Sequence, residues 1–325
     1  MNSIFYDDIT EHLALREKVL APESFAQDRR VLMSFDRHLA ERGKTERCIT
    51  EEDVVSWIQP LYDCLSRYAV ANKVGFLRMF LKYLRYKGIS VYLPPYPTVS
   101  DTYVPYLFSD TELEKIFAAA DMVPVSEKSG ELSLKIEFPM LLRMLYSCGF
   151  RLGELLSAKV GDVNFRRSFI LLRDTKNRKQ RVVPMGDALT EMLQRYCLAM
   201  GLMGSPDNFL FPARNHKKHL SQHSVDGWFR ELLKQTGIYV RPEKHTRGQC
   251  LHCFRHLFTV KSFAQAECAG RPVNDSIPFL SVYLGHFDMD ATEKYLKFSS
   301  DIFPEHTILF EAFTDGVFPE VGYED

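Results

Sequence analysis

The amino-acid sequence predicts a mainly α-helical protein with a small antiparallel β-sheet, arranged as two domains. Three observations predict it. Apolar residues recur at helical spacing along most of the 325 residues, two short β-rich runs flank one basic turn, and a proline-rich segment interrupts the helical pattern at residues 94–97. The 46% hydrophobic and 26% charged content is typical of a globular protein, and the length is too great for one small domain.

Composition excludes several classes of protein. No apolar run approaches the roughly 20 residues needed to span a bilayer, and the first residues lack the basic-then-apolar profile of a signal peptide. The seven cysteines form no clustered, even-numbered framework, which favours a reducing compartment and a cytoplasmic location. The net charge of −1 argues against nucleic acid as a partner only if the charges are evenly spread, so their distribution must be considered.

The N-terminal part of the chain predicts a small helical domain, which we place at residues 1–98. Two amphipathic helices are expected over residues 22–43 and 49–65, and Thr50 with Asp53 resembles a capping box at the start of the second. Prolines 94, 95 and 97 forbid a continuing helix, so a linker at residues 99–106 follows.

A basic block lies between residues 64 and 100, where six Lys and Arg side chains occur without a single acid. Lys73, Lys82 and Arg85 fall outside the apolar face of the predicted helix in this block. A charge run is ordinarily a solvated face, but such faces mix signs, so both a solvated face and a DNA-binding face remain open.

The second domain is expected to span residues 107–325. It opens with a capping box of Ser109 and Glu112, continues through an apolar helix ending near residue 149, and has a short helix after Arg151. Short strands are predicted at 169–172 and 181–184, joined by a basic turn at 174–179. From residue 186 onward the periodicity predicts helix almost to the end, with a tail from about residue 299 that carries one short amphipathic stretch.

Three segments place strong hydrogen-bond donors or a nucleophile next to apolar residues. They contain Arg151, the run from His252 to His256, and the pair His286 and Tyr295. Arginine suits a phosphate because its planar fork donates two parallel hydrogen bonds and does not lose its charge. On a helix, His252 and Arg255 are three residues apart and point to the same side.

These motifs resemble those of the tyrosine recombinase (phage integrase) family, of the Xer-like or transposon type. The matching motifs are Arg151-Leu152-Gly153-Glu154-Leu155, His252-Cys253-Phe254-Arg255-His256, and Leu284-Gly285-His286 followed by Tyr295. The resemblance implies a helical, SAM-like core-binding domain followed by a catalytic domain with the DNA breaking-rejoining enzyme fold. It favours a simple recombinase without a separate arm-binding domain before the helical unit.

The resemblance also implies the chemistry: site-specific strand exchange through a covalent 3′-phosphotyrosyl intermediate and a Holliday junction, without ATP or metal. The implied catalytic residues are Arg151, Lys176, His252, Arg255, His286 and the nucleophile Tyr295. Lys179 is the alternative to Lys176 as the acid, and Arg178 and Lys179 join the basic block as candidate DNA-binding residues. Glu154 is expected to support Arg151.

The implied partner is double-stranded DNA, bound by a homotetramer on two sites that is monomeric or weakly associated when free. The protein would then be nucleoid-associated when acting. We expect the element at residues 304–313 to dock into a neighbouring protomer in that assembly.

Other interpretations are weaker. A catalytically idle DNA-binding or architectural protein would not need the full residue set, and a type IB topoisomerase-like enzyme would not need the Leu-Gly-His motif. Zinc is conceivable on composition, because five Cys and His side chains crowd into residues 245–256. Their spacing departs from paired metal-ligand motifs, so we expect no metal, and we expect Cys250 and Cys253 to be small core residues.

Overall fold

The computed structural model describes residues 2–99, 104–122, 134–173, 180–243 and 248–285, with Met289 and Thr292. The chain divides into two compact units, residues 1–102 and 103–325. Each is considered by itself.

The first unit is entirely helical in its regular elements. Its helices are α1 (Tyr6–Glu17), α2 (Pro22–Glu41), α3 (Glu51–Ile58), α4 (Leu61–Cys64) and α5 (Arg67–Tyr86). Buried side chains from α1, α2, α3 and α5 form one apolar core, including Ile9, Leu32, Phe35, Trp57 and Phe80. The unit is therefore stabilised chiefly by burial of one face of each helix.

One sequence-based expectation for this unit needs correction, and one helix was not predicted. The helix expected over 49–65 is two helices, because Pro60 lacks the backbone N–H that would continue α3, and the chain restarts at Leu61. Helix α1 was not predicted at all. The capping box at the start of α3 is present: Thr50 N donates to Asp53 Oδ2 at 2.8 Å, and Asp53 N donates to Thr50 Oγ1 at 3.3 Å.

The second unit surrounds the buried helix α7 (Leu134–Cys148). The other helices are α6 (Asp110–Asp121), α8 (Leu152–Ser157), α9 (Asp187–Ala199), α10 (Gln222–Gln235), α11 (His252–Cys268) and α12 (Val273–Leu284). Helix α7 packs against α6, α9 and α11, and its Phe138, Leu141, Leu142 and Leu145 lie in a core separate from that of the first unit.

The sheet consists of three antiparallel strands: β1 (Val163–Asn164), β2 (Phe169–Leu172) and β3 (Arg181–Pro184), in that order. In the hairpin, Ile170 pairs with Val183 and Leu172 pairs with Arg181. Ile170 and Val183 are fully buried, as expected where one face of a sheet covers a core. The predicted fold class, mainly helical with a small antiparallel sheet, is confirmed.

The expectation of nearly continuous helix from residue 186 onward is wrong between α9 and α10, and also between α10 and α11, where the described residues 236–243 and 248–251 are not helical. A short 3₁₀ turn at Leu202–Gly204 is followed by irregular chain, with isolated bridges from Phe209 to Lys159 and from Pro212 to His219. Pro206, Pro212 and the polar run at 214–218 prevent a helix there. No helix among the described residues is long and apolar enough to cross a bilayer.

Candidate active site

Arg255 lies in the first turn of α11 and is 1% exposed. Its guanidinium donates from Nη1 to the carbonyl of Gly149 at 2.8 Å and from Nη2 to the carbonyl of Leu284 at 2.6 Å. These acceptors lie just beyond the end of α7 and at the last residue of α12. Arg255 therefore joins the C-terminal ends of two helices, and these two backbone carbonyls orient its guanidinium group.

Arg151 immediately precedes α8, and its guanidinium reaches the same end of α12. Nη1 approaches the Leu284 carbonyl at 3.5 Å, and Nη2 donates to the Gly285 carbonyl at 3.3 Å. The guanidinium groups of Arg151 and Arg255 thus share the Leu284 carbonyl, two residues before His286. Two arginines side by side provide the fork-shaped donors that fit a phosphate.

Glu154 holds Arg151 in place from the same turn of α8. Its carboxylate accepts hydrogen bonds from the Arg151 backbone N–H at 3.2 Å and from Arg151 Nη1 at 2.8 Å. It also accepts two from Arg181, at 3.0 and 2.7 Å. Burial by itself would raise the pKa of Glu154, but the guanidinium groups of Arg181 and Arg151 outweigh it and hold the pKa below its usual 4.5. The carboxylate is therefore ionised at neutral pH.

Arg181 is the site residue that the sequence reasoning missed. It begins β3 and lies next to the end of α12. A Cβ placed on Gly285 would come within 2.7 Å of Arg181 Nη1. Its only sequence signal was its position before Val-Val-Pro, and nothing in that signal identifies an acid 27 residues away as its partner.

Gly285 ends α12 in the left-handed conformation, with φ +64°. This glycine turns the chain so that the carbonyls of Leu284 and Gly285 face the two arginines, a conformation that an L-residue adopts only with strain. This conformation explains why the Leu-Gly-His motif has a glycine at position 285.

His252 is exposed at the first position of α11, on the same helix as Arg255. Its ring meets that of the buried His256 edge-on, with ring centroids 4.6 Å apart. The structure therefore brings three of the six predicted catalytic residues, Arg151, His252 and Arg255, into one region, where α11 meets the ends of α7 and α12.

The other predicted site residues, Lys176, Arg178, Lys179, His286 and Tyr295, lie outside the described residues, as does the tail from residue 299. Lys176 belongs to the segment that connects β2 with β3, and His286 follows Gly285 directly. Within the described part of the chain, no three His, Cys, Asp or Glu side chains are grouped so as to hold a metal ion.

The side chains around the basic helix α5 include acids, although its own sequence has none. Lys82 and Arg85 are exposed and Lys73 is partly exposed. Lys87, directly after the helix, instead pairs with Asp8 at 2.9 Å and with Glu11 at 2.8 Å, both on α1. The block therefore lacks acids in sequence but not in space, and the exposed or partly exposed Lys73, Lys82 and Arg85 are stronger candidates for a partner than Lys87.

The sequence and the fold are similar to those of known proteins. Residues 108–300 match the model of the Phage integrase family. The chain is 28% identical over 268 residues to a Sinorhizobium fredii protein named integrase/recombinase y4rB, covering 79% of this chain and 82% of that protein. It is 24% identical over 315 residues to tyrosine recombinase XerC of Oceanobacillus iheyensis, covering 92% of each.

Among solved structures, the post-cleavage complex of the XerH site-specific recombinase with its palindromic difH substrate has the same fold. The TM-score is 0.65 at 19% identity, and the match covers 86% of this chain and 78% of that one. The match to the family model spans more than half of the chain, from before α6 to beyond α12. The chain therefore belongs to the phage integrase family, whose members are DNA strand-transferring enzymes that carry out site-specific recombination.

Proposed function

We propose that this protein cleaves and rejoins duplex DNA at specific sites through a covalent 3′-phosphotyrosyl intermediate formed by Tyr295. The observation that carries the proposal is the convergence of Arg151 and Arg255 on the Leu284 carbonyl. This places two guanidinium groups side by side, next to the segment that leads to His286 and Tyr295.

In the proposed reaction, the Tyr295 hydroxyl oxygen attacks the scissile phosphorus in line, and the bond from phosphorus to the 5′-oxygen breaks. The phosphate remains joined to the 3′-end and to Tyr295, so the bond energy is conserved and ATP is not needed. His252 assists removal of the tyrosine proton, because an unperturbed phenol with a pKa of about 10 is a weak nucleophile. Lys176 gives a proton to the departing 5′-oxygen, with Lys179 as the alternative acid.

Arg151 and Arg255 stabilise the charge that develops on the non-bridging phosphate oxygens, and His286 adds a third donor. The arginines are preorganised by Glu154 and by backbone carbonyls, so little reorganisation is needed when the phosphate arrives. A second attack, by the 5′-hydroxyl of another strand, reverses the chemistry and completes strand exchange through a Holliday junction. Exchange between two duplexes requires four protomers on two DNA sites.

The test is covalent trapping on DNA. The full-length protein is incubated with fragments that flank its own gene, lightly nicked with DNase I so that a cleaved 5′-end can diffuse away. Covalent complexes that survive denaturation are collected, and the trapped strand is sequenced. We expect a discrete cleavage site and a 3′-linkage to the peptide that contains Tyr295.

Tyr295→Phe keeps the ring and removes only the nucleophile, so it should abolish the adduct and leave DNA affinity within about twofold of the parent. Tyr86→Phe, the same change at a side chain that is 91% exposed, is the matched control and should retain trapping. An adduct that persists in Tyr295→Phe would refute the assignment. DNA binding without any adduct in the parent protein would favour the idle DNA-binding alternative.

A further inference from the structure

We propose that Cys250 and Cys253 form a redox-active dithiol that reacts with low-molecular-weight disulfides and closes reversibly into a disulfide beside the candidate active site. The effect on DNA cleavage that we derive below rests on the proposed function, whereas formation of the disulfide does not.

The two thiols already face each other at the start of α11. Their Sγ atoms are 3.8 Å apart, and the backbone N–H of Cys250 donates to Cys253 Sγ at 3.4 Å. The backbone N–H of Cys253 also donates to the carbonyl of Cys250 at 2.9 Å, which closes the turn between them. A disulfide bond is about 2.05 Å long, so the sulfur atoms need to approach by only about 1.8 Å.

The two sulfur atoms differ in access, as the attacking and resolving thiols of a dithiol must. Cys253 is fully buried, whereas Cys250 is half-buried and open to a small oxidant. The hydrogen bond from the Cys253 thiol lowers the pKa of Cys250, helped by the backbone N–H groups of His252 and Cys253 and opposed by burial and by Asp226 of α10. At neutral pH, a larger fraction of Cys250 than of an ordinary cysteine is therefore the thiolate, the nucleophilic form.

The surroundings of Cys253 favour its protonated thiol. The hydrogen bond with Cys250, burial and the charge of the Cys250 thiolate raise the pKa of Cys253, and they outweigh the backbone hydrogen bonds of Cys250 and Tyr106, which lower it. Cys148 and Cys197 provide a contrast: they are buried, and desolvation raises the pKa of each to about 12, so they remain unreactive thiols. Within the described chain, position and charge therefore distinguish the pair from the buried cysteines.

Glutathione disulfide serves as the probe, and the reaction with it balances as follows. The Cys250 thiolate attacks one sulfur of glutathione disulfide, whose sulfur–sulfur bond breaks and releases one glutathione thiolate, which takes a proton from water. Cys253 then loses its proton to the buffer, attacks Cys250 Sγ in the mixed disulfide, and displaces the second glutathione. Two cysteine thiols are oxidised, and one glutathione disulfide is reduced to two thiols.

The disulfide would enclose Leu251 and His252 in a four-residue ring at the first turn of α11. Drawing the sulfur atoms together changes the path of this turn, on which His252 stands, three residues before Arg255. We therefore expect oxidation to displace His252 and to slow cleavage. In a reducing compartment the pair is open, and oxidation closes it transiently.

Mass spectrometry tests the dithiol without reference to recombination. The full-length protein is equilibrated with an equimolar mixture of reduced and oxidised glutathione, quenched with acid, alkylated and digested with trypsin. Residues 248–255 form one tryptic peptide that carries both cysteines. More than half of this peptide should lack two hydrogen atoms and carry neither alkyl group nor glutathione. Cys268, an exposed thiol on the same helix, is the control and should form only a mixed disulfide.

A peptide that stays fully reduced, or that accumulates only as the mixed disulfide with glutathione, overturns the proposal. The midpoint of the pH dependence of Cys250 alkylation by iodoacetamide should be at least one pH unit lower in the parent than in Cys253→Ala, which lacks the hydrogen-bond donor. An unchanged pH profile in that variant overturns the assigned roles of the two thiols.

Covalent trapping on DNA supplies the functional test. Oxidised parent protein should trap DNA at least about tenfold more slowly than reduced protein, dithiothreitol should restore the rate, and Cys250→Ser should trap equally under both conditions. Equal trapping by oxidised and reduced parent overturns the regulatory part. If the reduced parent traps nothing, the proposed function fails, while the peptide analysis still decides whether the dithiol exists.

Discussion

The carboxylate of Glu154 pairs with two of the three arginines in the candidate active site. With its side chain 4% exposed, it is paired with Arg181 and Arg151 at 2.7 and 2.8 Å. Removing one partner from a buried ion pair is costly, because the remaining charge keeps its desolvation penalty. We expect Arg181→Ala to lower the free energy of unfolding by about 2–4 kcal/mol at pH 7, with Arg151 compensating part of the loss.

The pH dependence of this variant follows from the pKa of Glu154. A carboxyl whose pKa is depressed in the folded state stabilises the protein above its unfolded pKa of about 4.5, and this stabilisation is lost as pH falls through the lower folded value. Arg181→Ala raises the folded pKa, so the stability difference from the parent should be greatest near neutrality and should narrow below about pH 4.5.

Urea unfolding at several pH values measures this effect. Arg195→Ala is the matched control, because Arg195 pairs with Glu191 on the exposed face of α9 and should change stability by less than about 0.5 kcal/mol. Equal effects of the two variants at pH 7 would show that the pair formed by Glu154 and Arg181 contributes no more than a surface contact.

The backbone carbonyls at the C-terminal end of α12 accept hydrogen bonds from Arg151 and Arg255 and so orient both side chains. Gly285→Ala places a methyl group in a left-handed conformation, at a cost of about 1–2 kcal/mol, and within 2.7 Å of Arg181 Nη1. Because Arg181 is fixed on Glu154, the contact cannot be relieved by a freely moving side chain. We expect Gly285→Ala to reduce stability and to slow covalent trapping on DNA more than tenfold.

Gly270, which follows α11, provides the control for strain without contact. Its φ is +75°, and no atom lies within 4 Å of a Cβ placed there. Gly270→Ala should therefore lose about 1 kcal/mol of stability and keep its trapping rate. If both alanine variants lose the same stability and retain cleavage, the close approach of Arg181 to Gly285 does not affect DNA cleavage.

Helix α5 carries the prediction about DNA affinity. If Lys73, Lys82 and Arg85 contact phosphates, replacing all three with Ala should weaken binding to unrelated duplexes alike and flatten the dependence of log K on log salt by about one unit per residue. Lys87→Ala is the matched control, because Lys87 is already paired with Asp8 and Glu11. A salt dependence unchanged by the triple substitution, measured by fluorescence anisotropy, would mean that α5 presents only a solvated face.

At the scale of the whole molecule, each unit has its own main apolar core, and the second unit also holds a small separate cluster around Phe263 and Ile277. We expect calorimetry to resolve two unfolding transitions. Leu32→Ala and Leu233→Ala remove the same atoms from fully buried positions in the two cores and should each cost about 2–5 kcal/mol. Each should lower only one transition, so the variants act as controls for each other. A single transition lowered by both would show that the units unfold together.

Much of this architecture is predictable because it depends on local signals. The capping boxes at Thr50 and Ser109 and the β-rich runs at 169–172 and 181–184 were recognised from neighbouring residues. Helix α1 was missed because its apolar residues gain their meaning only by packing on α2 and α5. The chain after α9 was misassigned because Pro206, Pro212 and the polar run at 214–218 interrupt the helix, and because the bridge from Phe209 to Lys159 joins residues that are distant in sequence.

The candidate site divides in the same way. Arg151, His252 and Arg255 were found because each stands in a short motif, whereas Arg181 acquires its role only through folding, when β3 comes beside α8. The six cations of the basic block were found from sequence, but the acids that pair with Lys87 lie on α1 and could not be assigned from spacing. Ion pairs between residues that are distant in sequence are therefore the contacts that the sequence does not predict.

The carboxylate of Glu154 accepts hydrogen bonds from two arginines that belong to different segments of the chain, and Gly285 leaves room for one of them. Positions 151, 154, 181 and 285 should therefore be constrained jointly during evolution, since a change at one becomes tolerable only when another compensates. Directed evolution toward new DNA sites should accumulate changes on α5 and in the basic segment 174–179, while these four positions stay fixed.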